Sequence, residues 1–197
     1  MTQTNSVPYE ILTGVGNLYL APLGTAFPAV NAVPGAAWRD LGYTQEGVSI
    51  KKSQKIEKIN VDQETGAVKA SRMEESQTIE TNLAEATLEN LADYVGNTVT
   101  DTPAASGTIG IREVGLYSGG YVKTYAALFR GMSAYGNYPA QYQVPVCYID
   151  GDAELKFQKG GKNPVIKIAL EALVDPNATS ESEKFGKIVM QDAVALP

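Results

Sequence analysis

With 197 residues, 44% of them hydrophobic, the chain is long enough for one self-sufficient core and far from the composition of a disordered segment. A formal net charge of −6 argues against a general affinity for nucleic acid phosphates, one Cys excludes an internal disulfide framework, and the absence of His removes the commonest general base. No stretch approaches the ~20 apolar residues of a membrane span, and the opening MTQTNSVPYE lacks the basic and apolar regions of a signal peptide, so an unsecreted chain is expected.

In chain order, residues 1–15 are polar, carry Pro8 and Gly14, and predict an arm. Residues 16–23 (GNLYLAPL) predict a short strand. Residues 25–37, with Pro28, Pro34 and Gly35, predict a loop, and 38–44 (WRDLGYT) a second strand with Gly42 as a bulge. Residues 45–61 predict a long strand, in which Val48 and Ile50 alternate with Ser49 and Lys51 before Ile59 and Val61 resume the pattern. Its middle carries a basic run, Lys51, Lys52, Lys55 and Lys58, opposed only by Glu57. Residues 62–75 (DQETGAVKASRMEE) are polar and weakly periodic, which predicts a long inter-strand loop, and loops of that size are usually functional or mobile.

The period then changes within one stretch. Over 77–83, Ile79, Thr81 and Leu83 alternate with Thr78, Glu80 and Asn82, predicting a strand with one packed and one polar face. From Ala84 to Val95 the apolar residues Ala84, Leu88, Leu91, Ala92 and Val95 follow helical spacing. Asn82 with Glu85 fits a capping box, and Gly96 suits the left-handed residue that ends a helix. Seven carboxylates and no Lys or Arg fall between Met73 and Ile111. After a loop over 98–108, strands are expected at 109–117, 122–133, 141–149, 153–158 and 165–174, with Asp150-Gly151 as the strongest hairpin signal. Residues 175–197 read as a C-terminal arm, of which 185–196 form a last weak strand or dock elsewhere. The whole predicts one domain over 1–197, mainly β, sandwich- or barrel-like, with one short α-helix over about 84–95 plugging its core.

Catalytic signals are missing. Cys147 lies inside a strand pattern and no base is on offer, so a buried structural thiol is expected. Gly160-Gly161-Lys162 lacks the other residues of a phosphate loop, and Asp150, Asp152 and Glu154 lack the rest of a calcium loop. No cofactor or metal is expected. The one enzymatic alternative is a carbohydrate-binding or hydrolysing β-sandwich with Glu74, Glu75 and Glu80 as carboxylates and Trp38 as a stacking platform. Seven of the eleven Tyr fall between Tyr117 and Tyr148, a clustering that strand packing explains without a ligand.

The order of parts is more telling. GNLYLAPLGTAFP, a Pro- and Gly-bearing loop, AWRDLGYTQEGVSI, a charged strand, a long polar loop and then TIETNLAEATLENLADYVG together resemble the tail tube (major tail) proteins of long-tailed phages, particularly the flexible, non-contractile siphovirus type. The likeness lies in residues 14–96, and the later strands to Val174 fit the family's architecture without a distinctive motif. It implies a non-catalytic virion protein, assembled in the host cytoplasm, whose copies form six-membered rings closed by a continuous inner β-barrel. Rings stack into the tube that conducts DNA from capsid to host. The implied partners are the same protein above and below, the tape measure protein inside, and terminator and distal tail or tip proteins at the ends. Double-stranded DNA passes without specific binding, and no membrane is involved.

On that resemblance Thr78, Glu80 and Asn82 are the candidates to face the lumen, where a net negative wall lets DNA slide. The 62–75 loop, with Gln63, Glu64, Lys69, Arg72, Glu74 and Glu75, is the candidate inter-ring contact. Lys51, Lys52, Lys55 and Lys58 are the candidates for charge pairing with Glu74, Glu75 and Glu80 across subunits, which sets register more than affinity. The terminal arms would cover strand edges of adjacent subunits. A tube component of a related secretion or contractile system, or another phage structural protein such as a capsid decoration protein, is the alternative within the same β class.

Overall fold

Alternation of apolar and polar residues lays most of this chain down as strands, and the computed structural model, which describes residues 15–151 and 166–194, joins them in one large antiparallel sheet. The strands are β1 (Asn17–Pro22), β2 (Arg39–Asp40), β3 (Thr44–Ile59), β4 (Lys69–Leu83), β5 (Val99–Thr102), β6 (Ile111–Val114), β7 (Thr124–Met132), β8 (Pro139–Asp150), β9 (Ile166–Ala172) and β10 (Lys187–Met190). The single α-helix among the described residues, α1 (Leu88–Val95), lies between β4 and β5. In space the sheet runs β2-β1-β7-β8-β9-β4-β3. β9 and β10 share one edge of β8, β9 along 147–150 and β10 along 140–143. β5 and β6 pair separately. The fold is mainly β and sandwich-like, as expected, and the sheet does not close into a barrel.

One face of the sheet is the core. β9 states the rule most simply: Ile166, Ile168, Leu170 and Ala172 are buried, while Lys167, Ala169 and Glu171 turn outward. β4 follows suit, with Ile79, Thr81 and Leu83 in and Thr78, Glu80 and Asn82 out, the alternation expected from the sequence. Leu18 and Leu20 of β1, Ala127 of β7 and Val144 of β8 continue the same apolar cluster. Each fully buried Leu or Ile there contributes about 1.5–3 kcal/mol. On the opposite face, Trp38 and Phe27 stack with ring centroids 5.1 Å apart over Ala21, Ala126 and Leu128, so the Pro-rich loop seals the far side of β1 and β7.

The helix covers the core face, but it starts later than its sequence period predicts. Thr87, not Asn82, is the N-cap, its Oγ1 accepting from the Asn90 amide at 3.3 Å. Ala84 still donates its N–H to the Tyr43 carbonyl as an extension of the strand, and the Glu85 carboxylate accepts from the Tyr43 amide. The expected capping pair is therefore occupied elsewhere. Gly42 makes room for that carboxylate, since a Cβ there would lie 2.5 Å from the Glu85 Cδ. At the other end Gly96 takes the left-handed conformation, φ 73°, and closes the helix as expected.

Three other expectations change. The loop over 62–75 is shorter, because residues 69–75 belong to β4 and pair with β3. Residues 98–108 are not all loop, since β5 lies there against β6. The 175–194 segment folds back on its own body: a 3₁₀ turn at Glu181–Glu183 leads to β10, the strand alternative for 185–196. The expected arm over 1–15, except its last residue, and the strand at 153–158 lie outside the described residues.

Candidate assembly surface

β3 and β4 form a hairpin that outgrows the sheet. β4 pairs with β9 only over 78–83, yet its ladder with β3 continues to Ile59 and Lys69. The outer part, 52–59 with 69–77, is a two-stranded arm roughly 26 Å long at about 3.3 Å per residue. Every residue of β3 from Lys51 to Ile59 is exposed. Such a ribbon is marginal alone, and cross-strand pairs hold it.

Those pairs are ionic and lie within one chain. Lys52 Nζ sits 2.5 Å from Glu75 Oε1 and Lys55 Nζ 3.4 Å from Glu74 Oε1 across the strands, while Arg72 Nη1, on the same strand as Glu75, lies 2.9 Å from its Oε2. Arg72 also donates from Nε to Gln54 Oε1 at 3.1 Å. The hydrogen bond from Lys52, then the charges of Lys52 and Arg72, hold the Glu75 carboxyl below its usual range. The expected pairing of the basic run with Glu74 and Glu75 across subunits thus has a local competitor. Glu80 lies opposite Ser49 instead. The strand also splits the basic run: Lys51 and Lys55 share the face of Thr78, Ser76 and Glu74, while Lys52 and Lys58 share that of Gln77, Gln54 and Ala70. Of the inter-ring candidates, Gln63 and Glu64 lie in the loop between β3 and β4, and Lys69, Arg72, Glu74 and Glu75 on β4.

Thr78, Glu80 and Asn82 come together on the outer face of the sheet. Across β9 they neighbour Glu171, Ala169 and Lys167, and across β3 Lys51 and Ser49. Asn82 donates to Glu46 at 3.0 Å, and Tyr148 on β8 donates to Glu171 at 2.6 Å, a bond that pushes the phenol up to about 12. Including the arm, this face carries Glu46, Glu57, Glu74, Glu80, Asp150 and Glu171 against Lys51, Lys55, Lys69 and Lys167. It is polar, half-buried at most, and net negative. Along its side runs β3, a sheet edge of sixteen residues that pairs only with β4 among the described strands.

The arrangement does not suit glycoside chemistry. Glu74 and Glu80 share a face but stand six residues apart on one straight strand, roughly 20 Å, against the ~5–9.5 Å that such pairs require. Glu75 faces the other way. Trp38 is buried, with its indole N–H on the Ala26 carbonyl at 3.1 Å, so it offers no platform. Cys147 is buried and its thiol is pushed up to about 12 by desolvation. Among the described residues no group of three His, Cys, Asp or Glu is placed to hold a metal ion, and no helix is long and apolar enough to cross a membrane.

Sequence reasoning missed Asn90. It is buried in the first turn of α1, donates to the Leu41 carbonyl at 3.1 Å and the Glu85 carbonyl at 3.0 Å, and accepts from Arg39 Nη1 at 2.6 Å. Arg39 also pairs with Asp93, so this cluster ties the helix to β2 and to the strand running into β3. An Asn five residues after the Glu of an Asn-x-x-Glu start carries no signal of this role. A family model described as phage tail tube protein matches residues 4–158. No individual curated protein matches the chain.

Proposed function

Since the chain belongs to the phage tail tube proteins, and is thereby a structural component of the virion tail, we propose that its copies close into six-membered rings that stack as a hollow tube for DNA. The observation that carries this is the hairpin of β3 and β4. Its outer half pairs with no other strand among the described residues, and β3 presents a sixteen-residue edge that is a ready template for another strand. A head-to-tail contact at that edge repeats until it closes into a ring, and the arm then reaches the next ring. The arm's tip carries Gln63 and Glu64, with Lys69, Arg72, Glu74 and Glu75 along its flank.

With that edge joined to the next copy, the outer face bearing Thr78, Glu80 and Asn82 lines the lumen. Six carboxylates against four lysines on that face leave DNA phosphates without the counterion release that would hold a duplex in place. DNA then slides from capsid to host during ejection. Lys51 and Lys55 meet carboxylates of adjacent copies, exchanging the local Lys55–Glu74 pair for an intersubunit one and so fixing register. The tape measure protein occupies the lumen before DNA, terminator and distal tail proteins cap the ends, the tail is of the non-contractile type, and assembly takes place in the host cytoplasm.

The test is a chain in which residues 56–72 are replaced by an Asn-Gly turn. This variant should melt like the parent, since those residues bury nothing, and electron microscopy of the concentrated protein should show no long tubes where the parent forms hollow ones with a ring repeat. Normal tubes from the shortened chain would refute the role of the arm.

A further inference from the structure

The arm of β3 and β4 ends in a closed turn. Beyond the last strand pair the Val68 amide donates to the Ile59 carbonyl at 2.9 Å, and the Glu64 amide to the Val61 carbonyl at 3.3 Å. Ile59, Val61 and Val68 nevertheless face solvent, Val68 with 52% of its surface, and none of them joins the apolar clusters of the described residues. The turn itself, residues 60–67 (NVDQETGA), carries Asp62 and Glu64 and no Lys or Arg. The tip is thus apolar along its flanks and doubly negative at its end.

A complementary surface lies at the other end of the arm. A cavity of about 970 Å³ opens between the arm's base and residues 181–188, with Tyr142, Phe185 and Ile188 among its apolar walls. That volume is at the top of the ~300–1,000 Å³ range of small-ligand pockets. Lys184 has Glu181 at 2.7 Å and Lys187 has Glu183 at 3.3 Å, but Lys52 and Arg72 share the single carboxylate of Glu75. The slot is therefore apolar inside with one cation in excess at its rim, a match for the tip in both respects. The subunit's own tip is excluded, because the paired strands from Lys52–Gln77 to Ile59–Lys69 hold it roughly 26 Å away.

We propose that the slot receives the arm tip of a second copy, with Val61 and Val68 against Tyr142, Phe185 and Ile188, and Asp62 and Glu64 beside the rim cations. This rests on the reading that the arm reaches another copy, and adds where it lands. Tip and slot sit at opposite ends of one hairpin, so every copy that gives its tip keeps its slot open. The contact is head-to-tail and extends in one direction instead of closing as a pair.

Cysteine pairing under oxidised glutathione tests it in the full chain, with Cys147 left in place because it is buried. Val68→Cys and Ile188→Cys in one chain should give disulfide-linked trimers and longer oligomers on a non-reducing gel, and each single variant should stay monomeric. Ile109→Cys, exposed and outside the slot, replaces Ile188→Cys as the control for chance collision and should give none. Adding Asp62→Lys and Glu64→Lys to the double-cysteine chain should cut the oligomers about fivefold, with melting curves to show that every variant folds. Missing oligomers, an equal yield from the control, or a yield that the charge reversal leaves unchanged would each overturn the proposal. Electron microscopy of the same samples separates this contact from the tube. Hollow tubes without the link between 68 and 188 refute the landing site and leave the tube standing, whereas linked chains without rings support the contact and refute the six-membered ring.

Discussion

Asn90→Ala should weaken the body of the subunit far more than its place on a short helix implies. The substitution strips donors from the Leu41 and Glu85 carbonyls and removes an acceptor from Arg39, at a site only 1% exposed. A buried carbonyl left without its donor costs about 1–3 kcal/mol. Leu41 O, whose bond is buried, bears most of that, Glu85 O, whose bond is part-buried, less, and Arg39 keeps Asp93. The total is about 2–4 kcal/mol, a large share of the ~5–15 kcal/mol that holds a domain together. For a chain of this size it lowers the melting temperature by roughly 4–16 °C. Thermal melts, with urea midpoints at unchanged slope, would measure it. Thr87→Ala, which removes only the cap, serves as the scale at about 1 kcal/mol. Asn90→Asp should be no better than Ala, because a carboxylate cannot donate to two carbonyls. An Asn90→Ala protein melting within about 2 °C of the parent would refute the view that this side chain staples α1 to the sheet.

Three further outcomes follow from other residues. Gly186→Ala should release β10, since Gly186 has φ 107° and a Cβ would sit 1.9 Å from the Gln143 carbonyl oxygen. Fast proteolysis near 186 is the readout, Gly66→Ala in open space is the neutral control, and an intact β10 in the variant would count against the contact. Cys147 should resist thiol reagents at pH 8 until the protein unfolds, because burial pushes its thiol up to about 12, and prompt labelling of the native state would contradict that. Glu75 has a depressed folded-state value, so its contribution to the arm is intact at neutral pH and is lost as pH falls through that value, below the ordinary 4.5. In Lys52→Met an NMR titration of the Glu75 carboxyl should move back towards the ordinary value, and an unmoved curve would exclude Lys52 as the cause.

What could be read beforehand depended on whether a face was buried. β4 from Gln77 to Leu83 alternates because Ile79 and Leu83 enter the core while Thr78, Glu80 and Asn82 do not, so the polar face was legible residue by residue. The same strand from Lys69 to Glu74 is exposed on both faces, carries no alternation, and reads as loop. β5, with Val99 half-buried and the rest exposed, hides for the same reason. Gly96 announced the helix end through a backbone requirement that only a few residues meet. The helix start misled because Glu85 turned to the Tyr43 amide, a partner forty-two residues away. The charged run on β3 was visible, but its division between two faces and its pairing with Glu74 and Glu75 required the register.

The strand order also dictates when each part of the molecule comes into being. The arm is built from neighbours in sequence, joined by one short loop, and zips without waiting for anything else. The body cannot: Leu18 must find Phe129, and Ile79 must find Leu170, each across roughly a hundred residues of chain. A nascent subunit therefore displays its longest adhesive ribbon before it owns the core that anchors it. On that ribbon Lys52 and Lys55 already have Glu75 and Glu74 as partners, so it closes its own charges while the distant pairings are still being made.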